Sequence, residues 1–369
     1  MNKKLKILYT IPNFDTAGSG KVVYDLVKGL DKQKFAPEIL VMHTRGAFFK
    51  EVEKLGVPIH VFDYETSYYP LWSFPFRLWK VVKFFKSLEV DIIHSWHWSS
   101  DFSEALAARL AGVRYVYTKK NMSWGNKAWI WKSKLSTHVI TINTAMKDLY
   151  FKEFTNTTYI PVGIDTSYFS PRVKTNKVEE IDLEDKKVII SVANMVPVKG
   201  IEVLIEAFIE LEKITSQKIE LLLVGSCSGN YGEKLKQLAN NKKNIHFLGK
   251  KMDVRPYLAE ADAFVIPTLD EGRKEAQGVA PLEAMSMGIP VLASDLDGLR
   301  DVMKNFRDQL FEAGNSIELT NQLNKILNKE NLDTKEYLGV LSIFTLEKMI
   351  YSHEVLYSKM LKKIFNENI

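Results

Sequence analysis

The sequence predicts an α/β protein of two facing, doubly wound, Rossmann-like domains followed by a C-terminal helix. The first observation is length, because 369 residues exceed what one hydrophobic core usually supports. The second is a repeated alternation of short apolar runs with amphipathic stretches, which is typical of parallel sheets built from βαβ units. The third is a charged, turn-prone stretch, PRVKTNKVEEIDLEDKK (171–187), that separates two such series.

The first series predicts an N-terminal domain over residues 1–170. Its strands are predicted at LKILYTI, EILVM, IHVF, DIIHS, RYVYT and HVITI, and residues 102–111 (FSEALAARLA) predict one of the helices between them. The stretch 171–187 is then interpreted as a linker. Ligands of doubly wound folds bind beyond the carboxyl ends of the strands, so we expect the site in a cleft between two domains.

The second series predicts a C-terminal domain over residues 188–345. Its strands are predicted at KVIISVA, IELLLVG, IHFLG, AFVIP and PVLAS, and residues 201–212 (IEVLIEAFIELE) predict a helix. The final segment, 346–369, predicts a long amphipathic helix that packs back on the N-terminal domain. The residues on its apolar face are Met349, Ile350, His353, Leu356, Tyr357 and Met360.

Composition indicates an ordinary globular protein, with 46% hydrophobic and 26% charged residues. The net charge of +5 is uneven, since residues 1–170 carry 23 Lys and Arg against 15 Asp and Glu, whereas the remainder carries 27 against 30. We therefore expect the first domain to face something acidic, such as a membrane surface or an anionic substrate. Nucleic acid is not expected as a partner, because no nucleic-acid-binding signature is present.

The single cysteine, Cys227, excludes an intrachain disulfide and favours a reducing compartment. The apolar run that follows the first lysines is explained better by a first strand than by a signal peptide. No stretch approaches the ~18 consecutive apolar residues of a membrane span. We expect a cytoplasmic protein, with attachment to the inner face of the membrane as an open alternative.

The stretch DTAGSGKVVYDL (15–26) contains GSGK, which superficially matches the phosphate loop of nucleoside triphosphatases. Val22 stands where that loop needs a hydroxyl, and Asp15 stands where it needs its first glycine, so both requirements fail. The glycines, Gly18 among them, still lie between an apolar run and a helical pattern. A backbone without Cβ atoms at such a turn can approach a ligand closely and direct amides at an anion.

The stretch KEAQGVAPLEAMSMGIPVLASDLDG (274–298) is the most informative. Glu275 and Glu283 lie at the two ends of a loop that leads into a predicted helix, which has Pro281 at its first position and is stopped by Gly288. The amides that converge at the start of this helix are those of Gly278, Val279 and Ala280. A diphosphate is stabilised there by unpaired N–H groups and the helix dipole, and carboxylates on either side can accept hydrogen bonds from sugar hydroxyls.

At this point the sequence resembles a known family, the retaining glycosyltransferases of GT-B fold grouped as family 4. The family pattern E-x-x-G-x-x-x-L-E-A-M-x-x-G-x-P-V matches from Glu275 to Val291. The resemblance covers nearly the whole chain. SVANMVPVKGIEVLIEAF (191–208) resembles the phosphate-binding loop and helix, GKKMDVRPYLAEADAFVIP (249–267) the nucleobase pocket, and YIPVGIDTSYFSP (159–171) the turn entering the hinge. AGSGKVVYDL resembles the N-terminal glycine loop.

The resemblance implies transfer of a sugar from a nucleoside-diphosphate sugar to a hydroxyl of a glycan or lipid-linked glycan, with retention at the anomeric carbon. It implies neither a cofactor nor a metal ion. Glu275 would bind hydroxyls of the transferred sugar, Glu283 the ribose diol, and Lys199 the diphosphate leaving group. Gly18 would let the first domain touch the donor phosphate, and the amides of residues 278–280 would support it.

Two departures from the family pattern concern the donor side. Asn194 stands where an arginine is usual, so neutralisation of the phosphate would rest more heavily on Lys199. The residues EGRK (271–274) resemble a short insertion, which leaves Glu271 as an alternative to Glu275 for the first acidic role.

A third departure concerns the sugar and acceptor side. Lys120 stands where a histidine often follows the V-x-T strand, and Lys120 and Asn121 are candidate catalytic residues. His94 and His97 end a predicted strand, and they and Trp124 are candidates for contact with the acceptor. Packing or capping is the alternative interpretation of both histidines.

Two stretches, 68–88 and 121–134, combine several Trp and Phe residues with lysines. One interpretation is a core helix with a solvated lysine edge. The other is a peripheral membrane surface, with aromatic rings at headgroup depth and lysines against anionic lipid. The sequence leaves both open.

Two other functions remain open at this stage. One is a sugar-nucleotide epimerase of GT-B fold, and the other is a binding subunit without turnover, which the residues at 194 and 120 motivate. Asp295 and Asp297 match the metal-binding D-x-D pattern only superficially, because turn and N-cap chemistry explains them.

Overall fold

The structure, a computed structural model, describes residues 4–15, 17–46, 48–171, 178, 181–272, 275–329 and 336–367. Its contacts divide the chain into two compact units, one of Met1–Pro161 with Glu347–Ile369 and one of Val162–Leu346. The division falls before Val162 rather than after residue 170. The reason is local pairing, since the Ile164 N–H donates to the Phe344 carbonyl at 2.8 Å within the second unit.

The first unit is built on a parallel sheet. Its strands are β1 (Leu5–Thr10), β2 (Phe35–Val41), β3 (Ile59–Val61), β4 (Ile92–Ser95), β5 (Arg114–Lys119), β6 (His138–Thr141) and β7 (Thr157–Tyr159). Their order across the sheet is β3-β2-β1-β4-β5-β6-β7. The direction of winding reverses between β1 and β4, so the carboxyl ends of these two strands form the switch point where such folds bind ligands.

Helices cover this sheet because their apolar residues recur at helical spacing. They are α1 (Ala17–Gly29), α2 (Phe49–Glu53), α3 (Phe74–Leu88), α4 (Ser103–Ala111), α5 (Lys127–Leu135) and α6 (Ala145–Tyr150). The C-terminal helix, which is α14 in chain order (Leu346–Glu367), joins them from Glu347 onward. Its predicted apolar face is buried at Met349, His353 and Tyr357, and the Tyr357 hydroxyl lies 3.0 Å from the Tyr9 hydroxyl.

The second unit has the same architecture, a parallel sheet with helices between its strands. Its strands are β8 (Lys187–Val192), β9 (Ile219–Val224), β10 (Ile245–Gly249), β11 (Ala263–Ile266), β12 (Val291–Ser294) and β13 (Leu310–Phe311). Their order is β10-β9-β8-β11-β12-β13, so the switch point lies between β8 and β11. The helices are α7 (Ile201–Ile214), α8 (Gly229–Leu238), α9 (Arg255–Ala259), α10 (Val279–Ser286), α11 (Asp297–Arg300), α12 (Ser316–Leu327) and α13 (Glu336–Leu341).

The structure confirms the predicted α/β class and every predicted strand, and it adds the short strands β7 and β13. The predicted linker, 171–187, lies partly outside the described residues. Within it, Val178, Ile181 and Leu183 pack against the core of the second unit, because they are apolar and adjoin β8. None of the helices within the described ranges combines the length and the hydrophobicity that a membrane span requires.

Candidate active site

The switch point of the second unit brings together the segments that follow β8 and β11. The Leu269 N–H donates to the Val198 carbonyl at 2.8 Å. Gly200 has a φ of +60°, and a Cβ there would lie 2.1 Å from the Pro267 carbonyl oxygen. Only glycine fits this approach, so Gly200 fixes the position of Lys199 immediately before it.

Lys199 and Glu275 form an ion pair at this point, with Lys199 Nζ 2.5 Å from Glu275 Oε2. The side chains are 26% and 15% exposed, so the pair is partly shielded from water yet open to a ligand. The structure therefore brings together two residues 76 positions apart that the sequence singled out separately. In such a pair the cation can bind an anionic group, and the adjacent carboxylate can accept a hydrogen bond from a hydroxyl.

Gly298 explains how Glu275 is held. A Cβ at residue 298 would lie 1.9 Å from the Glu275 carbonyl oxygen, so the chain can pass only where no side chain exists. Glu271, the alternative acidic residue, is exposed, and residues 273 and 274 lie outside the described part of the chain.

The helix α10 begins earlier than predicted. Gly278 is its N-cap and Val279 its first residue, so Pro281 is the third helical residue and the predicted first position was wrong. Pro281 is tolerated there because the first turn makes no use of its missing N–H. Gly278 serves packing, since a Cβ there would lie 2.7 Å from Leu299 Cδ2. The amides of Val279 and Ala280 belong to the first turn, where N–H groups have no intrahelical acceptor.

Glu283 is half-buried in the second turn of α10. Burial is the main reason that the pKa of Tyr168 is raised, and the negative charges of Asp253 and, to a smaller extent, Glu283 add to it. The Arg255 guanidinium lies 3.7 Å above the centre of the Tyr168 ring and is bonded to Asp253 at 2.6 Å. Sequence reasoning named these segments but missed Tyr168 and Arg255, because their contact depends on the tertiary fold.

Two further residues lie in the segments that follow β8 and β11. Asn194 is exposed in the turn after β8, and its carbonyl accepts from the Val196 N–H at 3.0 Å. Thr268, which follows β11, is fully buried, and its hydroxyl has no hydrogen-bond partner among the described residues. No sequence pattern indicates Thr268, because a lone threonine after a strand is common.

The switch point of the first unit joins Lys120 to the first turn of α1. Lys120 Nζ donates to Ser19 Oγ at 3.1 Å and to the Trp96 carbonyl oxygen. Gly18 precedes Ser19, is exposed, and would place a Cβ in open space. Gly18 is the second residue of α1, so it lies inside the helix rather than in the predicted loop. A Cβ at this position would meet none of the described atoms, so packing does not require a glycine there.

Two adjacent lysines at this edge carry little positive charge above neutral pH. Burial is the main reason that the pKa of Lys120 is lowered to about 7, and the charge of Lys132 adds to it. Burial also lowers the pKa of Lys119 to about 7. An anion bound near Lys120 would favour its protonated form, since an opposite charge raises the pKa of an amine.

Asn121 and Trp124 contact Lys119 rather than Lys120. Asn121 Oδ1 accepts from Lys119 Nζ at 2.5 Å, and the Trp124 ring centre lies 5.3 Å from the same nitrogen. Both residues thus help to hold the buried amino group of Lys119. A substrate-binding role for Asn121 and Trp124 stays a prediction.

His94 and His97 are both buried. The ring nitrogens of His94 form hydrogen bonds with Tyr357 Oη at 2.6 Å and with Thr118 Oγ1 at 2.7 Å. Both nitrogens are therefore used within the unit, which favours the interpretation of His94 as a packing residue. His97 accepts from the Ser99 N–H at 2.9 Å, and burial lowers its pKa to about 2. His97 is therefore neutral at physiological pH.

A buried polar network beneath this edge was missed by sequence reasoning. The Glu104 carboxylate accepts from Ser95 Oγ at 2.7 Å, from Tyr115 Oη at 2.8 Å and from Thr10 Oγ1. Lys132 Nζ lies 3.8 Å away, with side-chain exposures of 0% for Lys132 and 1% for Glu104. These groups tie the ends of β1 and β4 to α4 and α5.

Asp295 and Asp297 both pair with Arg300, at 2.7 and 2.6 Å. Neither caps α11, whose N-cap is Leu296, so that part of the prediction was wrong. Within the described ranges, no group of three or more His, Cys, Asp or Glu residues is placed to hold a metal ion.

Comparison with protein families assigns both units. Residues 16–168 match the family Glycosyltransferase Family 4, and residues 173–338 match Glycosyl transferases group 1. A capsular polysaccharide biosynthesis glycosyltransferase, CapH of Staphylococcus aureus, is 24% identical over 319 residues, which cover 84% of this chain and 86% of CapH.

Solved structures show the same fold. A glycosyltransferase from Rickettsia africae superposes with a TM-score of 0.82 at 19% identity, over 97% of this chain and 99% of its own. HepE from Anabaena, solved in complex with UDP and glucose, superposes with a TM-score of 0.77 at 19% identity, over 96% and 100%. The chain is therefore an enzyme of the glycosyltransferase class with the GT-B fold. Within that class its second unit carries a group 1 glycosyltransferase domain, as the motif from Glu275 to Val291 predicted.

Proposed function

We propose that the enzyme transfers a sugar from a nucleoside-diphosphate sugar to a hydroxyl of a glycan or lipid-linked glycan. The single observation that carries this proposal is the Lys199–Glu275 ion pair at the switch point of the second unit. Glu275 lies four residues before Val279, where α10 begins. The relatives support the substrate class. One, from Campylobacter jejuni, is an N,N'-diacetylbacillosaminyl-diphospho-undecaprenol alpha-1,3-N-acetylgalactosaminyltransferase, 23% identical over 83% of this chain and 86% of its own.

The donor-binding roles follow from charge. Lys199 and the first amides of α10 receive the diphosphate, Glu275 accepts hydrogen bonds from the transferred sugar, and Glu283 accepts them from the ribose. As the bond between the anomeric carbon and the phosphate oxygen breaks, negative charge grows on the diphosphate. A cation and aimed amides stabilise that charge more in the transition state than in the ground state.

We propose retention of the anomeric configuration. The acceptor oxygen bonds to the anomeric carbon on the face that the phosphate leaves, and the departing phosphate oxygen takes the acceptor's proton. This route needs no enzymic nucleophile. Glu275, the carboxylate assigned to the sugar, is already engaged by Lys199 in the free protein.

We also propose that no metal ion is needed, because Lys199 and the α10 amides supply the positive potential. Transfer is expected to continue at an unchanged rate in excess chelator. A rate that falls with EDTA and returns with Mg²⁺ or Mn²⁺ would contradict this part of the proposal.

Glu283→Ala is expected to abolish stabilisation by the nucleotide. A thermal-shift panel of UDP, GDP and ADP identifies the base that binds the wild-type protein. At about 100 times Kd, that nucleotide contributes about 2.7 kcal/mol of stability, which corresponds to a rise in Tm of about 5–10 °C. The variant lacks the acceptor for the ribose diol and should show little of this shift.

Glu233→Ala is the matched control, because Glu233 is an exposed glutamate on α8 of the same unit. It should keep the full shift. An unchanged shift in Glu283→Ala would remove that carboxylate from the ribose. Sugar-nucleotide product formed without any acceptor would instead indicate an epimerase, and binding without turnover would indicate a binding subunit.

A further inference from the structure

Four large apolar side chains project from the surface of the first unit around the start of α3. Leu71 and Trp72, in the 3₁₀ turn Leu71–Ser73, are 65% and 79% exposed. Phe76 and Trp79, on α3, are 72% and 50% exposed. We call these four residues the aromatic surface. Scattered apolar residues are normal at surfaces, but these four lie within nine residues of the chain, and grouped apolar side chains mark interaction sites.

The fold of the unit does not require the aromatic surface. α3 already buries a complete apolar stripe, made of Leu78, Val81, Val82 and Phe85. Phe76 and Trp79 therefore lie on the face that an ordinary amphipathic helix gives to polar residues. α3 is therefore a core helix on one face and apolar on part of the other, and a membrane role for the exposed face stays a prediction.

Arg77 holds the segment before α3 in one conformation. Its Nε donates to Thr66 Oγ1 at 3.0 Å, and its NH2 group donates to the carbonyl oxygens of Ser67 at 2.6 Å and Tyr69 at 3.0 Å. Its NH1 group also donates to Ser73 Oγ. A guanidinium that uses its donors in this way fixes Leu71 and Trp72 in their exposed positions, which lowers the entropy lost on binding.

Charge identifies the partner. Lys80, Lys83 and Lys86 are exposed on the same helix, and the sequence of residues 66–88 contains no Asp or Glu. Lys86 Nζ lies 5.7 Å from the centre of the Trp79 ring. Exposed Trp and Phe beside an uninterrupted set of cations fit the boundary between acyl chains and anionic headgroups.

We propose that the aromatic surface and these three lysines dock the enzyme on an anionic lipid bilayer. The rings of Trp72 and Phe76 enter the interface, and the lysines of α3 contact the headgroups. No covalent step is involved, and the inference does not depend on the donor site. Docking here would concentrate the enzyme at a surface where a lipid-linked acceptor is found.

The test is cosedimentation of the full-length protein with vesicles of phosphatidylcholine alone and of phosphatidylcholine with roughly one-third phosphatidylglycerol. The wild type should bind the anionic vesicles at an ionic strength of about 0.05 M and bind far less at about 0.5 M. Lys80→Gln/Lys83→Gln/Lys86→Gln should weaken binding by about 100-fold, since each cation contributes about fivefold. Trp72→Ser/Phe76→Ser should weaken it by at least about tenfold.

A matched control is Lys213→Gln/Lys218→Gln/Lys234→Gln, which removes three exposed lysines from the second unit. It should bind as the wild type does, and all variants should keep the wild-type Tm because the residues are exposed. Failure of the wild type to bind anionic vesicles would overturn the proposal. So would a loss confined to the lysine variant, or an aromatic variant that changes only the oligomeric state, which would indicate a protein partner.

Discussion

Lys199→Met is expected to lower kcat/KM for sugar transfer by about 10²–10³-fold, the usual cost of removing one group that stabilises transition-state charge. Lys199 is the cation beside Glu275, and the variant retains the bulk of the side chain but not its charge. The protein should remain folded, because both side chains are partly exposed and Glu275 can be hydrated once its partner is gone. Steady-state transfer to a suitable acceptor gives the measurement.

Lys213→Met provides the matched control, because Lys213 is an exposed lysine near the end of α7 in the same unit. Its kcat/KM should stay within about twofold of wild type. Glu275→Gln should also be strongly impaired, and the double variant should lose less than the product of the two single losses, since the residues act as a unit. A Lys199→Met enzyme with near-normal kcat/KM would remove the lysine from the reaction.

Lys132→Met is expected to destabilise the first unit by about 3–5 kcal/mol, because it leaves a buried carboxylate without its cation. Glu104 and Lys132 are almost completely inaccessible, with side-chain exposures of 1% and 0%. Three hydroxyls would still donate to Glu104, but none of them compensates its charge. The midpoint of the thermal transition of that unit should fall by about 10 °C or more.

Lys134→Met, on the same helix α5 but exposed, should change the midpoint little. The double variant Glu104→Gln/Lys132→Met should be more stable than Lys132→Met alone, since the unpaired charge is then gone. Equal stabilities of Lys132→Met and Lys134→Met would show that the buried pair does not stabilise the fold.

The fold was largely predictable from the sequence, because the central strands of a doubly wound sheet are buried on both faces and appear as apolar runs. The strands β7 and β13 have three and two residues, too few to form such a run. The glycines at the start of α1 predict a loop, because glycine disfavours helices, yet Val23, Leu26 and Val27 are buried and hold the helix in place.

The candidate site was likewise predictable only in part. Glu275, Gly278 and Glu283 lie within one short motif, so the sequence could propose them together. The pairing of Lys120 with Ser19 spans 101 residues, and that of Glu104 with Lys132 joins two helices. Neither pairing leaves a local pattern in the sequence, because parallel strands bring distant segments to one edge of the sheet.

A crystal structure of the enzyme with the nucleoside diphosphate that gives the largest thermal shift would test the proposed donor site directly. We expect phosphate oxygens within hydrogen-bonding distance of Lys199 Nζ and of the amides of Val279 and Ala280, with the ribose against Glu283. A diphosphate bound at any other place, with the Lys199–Glu275 pair undisturbed, would contradict the proposed donor site.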